Sequence, residues 1–518
     1  MLLHYSSMLA IATPPPATCN PLDFGAKGDG AADDTHALQQ SIDCGRNFSR
    51  PVVIPAGVFQ ITSYLDWGGW QGISVRGAGA SGRGAVTQIV ATGISGVAHD
   101  FTGSAYGVIE NIAFAAEVMG LNGRVSDGGG AIYGSDIAWR GCNFAGGSKA
   151  AFVDHMGEVL TWDNCRFHSG GGAPSLLLTW RAQRAPWNII PPSGRSLATG
   201  ITLTQFRIFG GEMTGDNTAL LVMDMGGAGK AGGGDFASYG LYFATSGNHI
   251  AAVEIRGKWN NVIFDGSRDE ETDFPANADR GFLRLVSTSD DGMAQLKNFR
   301  IHAYSDGDEV GPIIRGTGDV ASGTIVSGAG GGIVLNGTIS GVELRSTAHN
   351  GAVPHTRYGT PLAVTGNCTD VTLHSALFNG DSSFPAPEPV VRCGGEMAVS
   401  LSGAGAGVFV VRQALNATTA KAVSSATELV VVGSTQLPAL RWQITRAGLY
   451  EASFAGDRMS IHVGADPITD KLFVVIINYL DMQALSGNAA AGKLLLNGTV
   501  LTAQFSGAPG RFEVRKFA

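Results

Sequence analysis

The densest run of ionisable side chains lies in WNNVIFDGSRDEETDF (Trp259 to Phe274). Asp265, Asp269, Glu270, Glu271 and Asp273 follow one another there, with Arg268 among them. Hydrolysis of a glycosidic bond needs two carboxyl groups across the bond, one to protonate the leaving oxygen and one to activate water or attack the sugar. A strand ending at Phe264 and turning outward would bring two of these acids to one groove, with Trp259 as a stacking face. The competing reading is a solvated acidic loop. Clustered oxygen ligands also suit Ca²⁺, yet the sequence has no EF-hand spacing and no glycine-rich calcium repeat.

A second pair, Glu212 and Asp216, lies in FRIFGGEMTGDNTALLVMD (Phe206 to Asp224), after an apolar run and beside glycines that let a ligand come close. Glu212, Asp216, Asp265, Asp269 and Glu270 are therefore the candidate acid/base residues. TWRAQRAPWNIIPPSGR (Thr179 to Arg195) gathers Trp180, Arg181, Arg184, Trp187 and Arg195 in one proline-bounded stretch. Aromatic faces pack on sugars and guanidinium groups fork onto carboxylates. Trp180, Arg181, Arg184 and Trp187, with Trp259, Arg268 and His302, are accordingly the candidate substrate-binding residues. A loop pinned by buried tryptophans is the alternative. Eliminative cleavage of a uronide would need a base for the C5 proton and a cation against the carboxylate. That chemistry would favour Arg, His and Tyr over paired acids. No nucleophile elbow, P-loop or dinucleotide fingerprint supports another enzyme class.

The elements that must carry these residues are short strands. Of 518 residues 75 are glycine, about twice the usual share of ~7%, without the Gly-X-Y period of collagen. A hydrophobic fraction of 44% against 15% charged residues argues against disorder. Apolar-x-apolar pairs recur at Ile112/Phe114, Cys142/Phe144, Cys165/Phe167, Val262/Phe264, Phe299/Ile301, Val342/Leu344 and Val371/Leu373. WRGCNF (Trp139 to Phe144) returns as WDNCRF (Trp162 to Phe167) after the length of one solenoid coil, so equivalent residues should stack. Longer intervals imply less regular coils or insertions, and insertions fall on outer loops, where binding usually lives.

Near the start, Asp23-Phe24-Gly25-Ala26 enters a turn for which Gly28-Asp29-Gly30 supplies positive φ. Asp33 or Asp34 can cap a helix over Thr35 to Cys44, whose apolar stripe is Ala37, Leu38, Ile42 and Cys44. Val52-Val53-Ile54 is then a buried strand, closed by Pro55-Ala56-Gly57. This segment closely resembles the opening module of the pectate-lyase-like superfamily of right-handed parallel β-helices. The match comprises Asp23, Phe24, Gly25, Ala26, Gly28, Asp29, Gly30, Asp33, Asp34 and Thr35, then Val52, Pro55, Gly57 and Phe59. The resemblance implies the solenoid fold and a structural role for the module's acids. It is nearly silent about the reaction, since phage tailspikes, polysaccharide lyases and several glycosidase families share it. By analogy with tailspikes it also implies a homotrimer. Asp154, His155 and Glu158 in FVDHMGE resemble a strand motif of pectate lyases, but the rest of that signature is missing, and polygalacturonase signatures are absent. His155 and His168 read as packed or turn histidines.

The expected organisation is a leader or attachment peptide over 1–19, a cap module over 20–65, a parallel β-helix with loop insertions over 66–393, and a C-terminal β-rich, sandwich-like domain over 394–518. No Lys or Arg precedes the apolar centre of the leader, as a secretory signal would require; a cleaved signal is the alternative. Cys19/Cys44, Cys142/Cys165 and Cys368/Cys393 are each one coil length apart. They suit either disulfides or stacked thiols, the latter being preferred, and no Cys/His cluster suits zinc. The net charge of −8 argues against a nucleic-acid surface, and no apolar run is long enough to span a membrane. The resulting expectation is an extracellular, cofactor-free enzyme on a virion surface or secreted. It would be a glycoside hydrolase depolymerising a bacterial exopolysaccharide or capsule. A lyase or fructan transferase on the same fold, or a non-catalytic glycan-binding adhesin or spike, are the alternatives.

Overall fold

Alternation within each strand sorts side chains to the two faces of a sheet. In Ser135–Arg140, Ile137 and Trp139 are buried while Asp136 and Arg140 are exposed. Repeated coil after coil, this alternation builds a three-sided solenoid. The computed structural model describes residues 17–516 except 81–85, 116–118, 127–130, 133, 147–149, 200–202, 216–218, 229–231, 247–249, 273–280, 289–292, 306–312, 328–331, 347–361, 375–389, 394–396, 403–407, 415–425, 433–438, 444–447, 455–456, 466–471, 479–492, 498–499 and 505–511, with backbone alone at 119, 126, 131–132, 245–246, 270–272, 304–305, 327, 346 and from 373 onward.

All three sides are parallel sheets. Sheet 1 contains Ala105–Glu110, Ser135–Arg140, Glu158–Asp163, Thr204–Phe209, Gly233–Tyr239 and the first part of Lys258–Thr272. Sheet 2 contains Asn143–Ala145, Arg166–Ser169, Glu212–Gly215, Tyr242–Ser246 and the remainder of Lys258–Thr272. Sheet 3 contains Met119–Gly123, Phe152–His155, Leu176–Thr179, Ala219–Asp224, Ala251–Arg256 and Gly281–Val286. The fold is a right-handed parallel β-helix.

The corner between sheets 1 and 2 is made by one left-handed residue per coil. Asn111, Gly141, Asn164, Gly210, Gly240 and Gly266 lie one above another with φ between 50° and 66°. Gly and Asn are the residues that adopt this conformation most cheaply. The fixed corner keeps each coil in register with the next, so the core becomes ladders of like residues. Trp139 and Trp162 stack at 5.5 Å and 13°, and Phe144 and Phe167 at 5.3 Å and 12°, which is the sequence repeat realised in space.

The N-terminal cap departs from expectation in two details. Its helix, α1, extends over Thr35–Phe48. Asp33 accepts from the Thr35 N–H and hydroxyl, whereas Asp34 turns back to accept from Lys27 N at 2.6 Å and Gly28 N at 3.0 Å. Asp34 thus ties the glycine turn to the helix start. Cys19 and Cys44 form a disulfide, which corrects the preference for thiols there; Cys368 is also disulfide-bonded, while Cys142 and Cys165 are buried free thiols.

Parallel pairing continues past Cys393 to Val408–Ala414. Beyond it the chain turns antiparallel. Ala426–Val432, Ala439–Gln443, Val500–Gln504 and Lys493–Asn497 extend sheet 3, and Phe512–Lys516, Gly448–Phe454, Asp457–Ala465 and Leu472–Asn478 extend sheet 1. Two antiparallel sheets therefore grow from the end of the solenoid, beginning after Val408–Ala414 and not at residue 394. No helix among the described residues is long and apolar enough to cross a membrane.

Candidate functional site

One outward-facing residue near the end of each sheet 1 strand shares a register column, and from Glu110 to Asp265 it stands just before the left-handed corner. Register aligns these residues as Arg76, Glu110, Arg140, Asp163, Phe209, Tyr239, Asp265, His302, Val326 and Arg345. Parallel strands lie ~4.8 Å apart, so this column places side chains from distant parts of the sequence at regular intervals along the axis.

At its centre, His302 Nδ1–H donates to Asp265 Oδ1 at 3.0 Å, and Arg300 approaches Asp265 Oδ2 at 3.6 Å. Asp265 and His302 are 31% and 26% exposed, open enough for a substrate to reach. Across the corner, Glu212 faces Arg166 at 3.4 Å, and the Arg268 guanidinium lies 5.6 Å over the Tyr242 ring. Glu212 sits two coils from Asp265, about 10 Å along the axis. That is too far for the pair used in a double displacement and close to the spacing that leaves room for an attacking water.

Lys258–Thr272 does not leave the solenoid after Phe264, as the sequence reading supposed. It bends at Gly266 and pairs on with Tyr242–Ser246. Asp265 and Arg268 consequently face outward, while Asp269 follows Met213 and Phe243 in an inward column and is buried. Asp269 is thereby removed from the groove. The backbone of Glu270 pairs with Ala244, and Asp216 and Asp273 lie outside the described residues. Trp259 is a second correction: its indole fills the core and offers no stacking face.

Residues 180–198 form a strap across the outer face of sheet 3. That face is apolar at Leu121, Val153, Leu177 and Val222, and the strap covers it with Ala182, Ile189 and Leu197. Its first end is pinned by Arg181, whose Nε and Nη2 donate to Asp224 at 3.0 Å each; Trp187 Nε1–H adds a bond of 2.6 Å to the same carboxylate. Trp180 Nε1–H donates to Gly226 O at 2.9 Å. At the other end Arg195 forks onto Asp66, and the Ser193 hydroxyl donates to Asp100. Trp180 and Arg181 are thus buried anchors and not sugar contacts, because the strap has a hydrophobic face of its own to cover. Arg184 lies 4.9 Å over the Trp180 ring and Arg256 5.2 Å over the half-buried Trp187.

His155 links the two legs of the strap. Its Nδ1 accepts from Ala182 N at 3.3 Å, and its Nε2–H donates to Ala198 O at 2.9 Å. Burial keeps the ring neutral, holding its pKa down at about 4. Asp154, facing inward, accepts from Asn122 Nδ2 at 2.7 Å and Gly157 N at 2.8 Å; burial pushes its carboxyl up to about 7. Neither group reaches the Asp265 face.

Arg300, Phe209 and Tyr239 are members of the site that the sequence reading missed. A signal existed: each of Phe209, Tyr239 and Asp265 immediately precedes a glycine corner, at Gly210, Gly240 and Gly266.

Residues 18–118 match the family described as Rhamnogalacturonase A/epimerase, pectate lyase-like. No curated protein matches the chain in sequence. Among solved structures, the chain is similar to a tailspike protein of E. coli bacteriophage HK620 in complex with a pentasaccharide, at 10% identity over 97% of this chain and 94% of that one, with a TM-score of 0.42. PfbA, a surface adhesin of Streptococcus pneumoniae, is 12% identical over 81% of this chain and 97% of its own, with a TM-score of 0.39. The catalytic unit of a thermostable GH87 alpha-1,3-glucanase from Streptomyces thermodiastaticus is 15% identical over 70% of this chain and 69% of its own, with a TM-score of 0.34. Over residues 18–118 the chain is therefore similar to the family described as Rhamnogalacturonase A/epimerase, pectate lyase-like, and this stretch leads into the right-handed parallel β-helix.

Proposed function

We propose that this protein is a polysaccharide-degrading enzyme, a glycoside hydrolase that cleaves a bacterial exopolysaccharide or capsule on the sheet 1 side of the solenoid. The observation that carries the reading is the solvent-reachable Asp265–His302 pair with Arg300 beside it. Asp265, held in place by His302 and Arg300, is the base that activates water. Glu212, two coils away across the corner, is the acid that protonates the leaving oxygen. Their spacing exceeds that of a double-displacement pair, which favours a single displacement with inversion. The strap supports this choice of face, since among the described residues it occupies the outer surface of sheet 3 and not that of sheet 1. The working form is an extracellular homotrimer, on a virion or secreted, as in the tailspikes that share the opening module.

A second reading, elimination from an acidic glycan, is favoured by one feature. Arg268 and Arg300 flank Asp265 and His302, so a uronate could be neutralised while His302 removes the C5 proton. Incubation with bacterial exopolysaccharides and fructans, followed by product mass and ultraviolet absorbance, separates the possibilities. Oligosaccharides that have gained water are expected. Unsaturated products would establish the lyase and an anhydro-disaccharide a transferase. Glycan retention without any product would leave an adhesin. Asp265→Asn should lower kcat by about 10²- to 10⁴-fold, the usual share of a proton-transfer group; an unchanged kcat would remove Asp265 from the mechanism.

A further inference from the structure

The corner column is charged from Arg76 to Asp163 and charged or polar again at Asp265, His302 and Arg345, with Val326 a single aliphatic member. Between Asp163 and Asp265 stand Phe209 and Tyr239, in register with each other on consecutive coils. Their rings stack at 5.5 Å and 11° and remain 43% and 39% exposed. Trp139, Trp162 and Phe206 are fully buried, and Tyr106, 60% exposed near the start of its strand, lies outside this column. Two stacked aromatic rings at a position occupied elsewhere by charge leave apolar surface in water without contributing to the core.

The place of the pair decides its use. Tyr239 belongs to the coil between Glu212 and Asp265, and the Asp265 carboxylate lies one register step from it. Phe209 covers one face of Tyr239, and the two rings stay open to solvent in the register column that continues to Asp265 and His302. A pyranose presents an apolar C–H face and polar edges, which suits an aromatic surface bordered by carboxylate, imidazole and guanidinium groups. We infer that Phe209 and Tyr239 form the platform for one pyranose unit of the polysaccharide, seating its glycosidic oxygen at the Asp265–His302 pair. This rests on the proposed function for the site but can fail separately from it.

Affinity electrophoresis through gels containing xanthan, gellan, alginate or levan tests the platform without requiring turnover. The parent protein should be retarded by at least one of the four. In that gel Tyr239→Ala should weaken binding about tenfold to thirtyfold, the loss typical of a central aromatic contact. Tyr239→Phe, which keeps the ring, should retain binding. Unchanged retardation of Tyr239→Ala overturns the platform, and the enzyme reading then stands or falls on Asp265→Asn. Lost retardation in Tyr239→Ala, with no product from the parent, supports the platform and sinks the enzyme reading. A fall in native mass on Tyr239→Ala assigns the rings to a subunit contact and overturns the platform, as does a parent retarded by none of the gels.

Discussion

Asp224→Ala should lower stability by about 3–5 kcal/mol, the cost of leaving a buried charge without its partner. Asp224 is fully buried and accepts from Arg181 Nε and Nη2, Trp187 Nε1 and Gly226 N. Removing it strands the Arg181 guanidinium, itself only 9% exposed, beneath the strap. Trp180 and Trp187 then lose their fixed surroundings, so tryptophan fluorescence should report the change early in a denaturant titration. Replacing both partners, as Arg181→Met with Asp224→Leu, should recover most of the loss, because two apolar side chains need no mutual neutralisation. A loss below about 1 kcal/mol in Asp224→Ala would mean that the strap is held by its apolar underside alone.

The second large effect is the dependence of stability on pH. His99 is fully buried, with Trp67 Nε1 at 3.4 Å from its Nδ1, and burial holds its pKa down to about 3; His155 is held at about 4. Both folded values lie below the ordinary 6.5, so the folded protein keeps these rings neutral while the unfolded chain takes up protons. Their contribution is complete above pH 6.5 and is lost as pH falls toward 4 and then 3. Asp154 acts in the opposite direction. Its folded value of about 7 exceeds the ordinary 3.8, so its contribution is complete below pH 3.8 and disappears as pH rises through 7.

Between about pH 4 and 6.5 two histidines outweigh one aspartate, and stability should rise by about 1.4 kcal/mol per pH unit. A decline to pH 7 follows, which places the optimum near pH 6.5. Asp154→Asn should remove that decline and gain at most about 4 kcal/mol at pH 8, the equivalent of three pK units. The amide of Asn122 can turn so that its unpartnered Oδ1 accepts from the new side chain. His99→Phe should flatten the acid limb, since Phe101 and Phe114 already pack around the site. Thermal or denaturant midpoints measured from pH 4 to pH 8 check all three, and a parent profile flat over that range would contradict the assigned shifts.

Much of the architecture could be read before any coordinates. The repeat of Trp139 to Phe144 at Trp162 to Phe167 states the coil length, and stacking of those residues follows from it. The glycine turn, acids and helix of the cap are local features, governed by φ preferences and capping that act within a few residues. The strands of the C-terminal unit were legible for the same reason, as in Gly448–Phe454 and Leu472–Asn478.

The site was legible only in part. Asp265, Glu212, Arg268 and His302 were named from residue type, but which of them meet was not. Asp265 and His302 are 37 residues apart, and coils of unequal length hide which side chains share a column. Tryptophan was the most misleading signal. Trp180 and Trp259 have the chemistry of a sugar contact, yet the core and the strap each bury one, since a large indole gains more from packing than from exposure. Periodicity and turn chemistry, being local, determined from the sequence alone that this chain is a β-solenoid with a structured cap. Only the tertiary structure decided which face is sealed by the strap and which carries Phe209, Tyr239, Asp265 and His302 in line, because a column perpendicular to the strands is set by register between coils and not by neighbours along the chain.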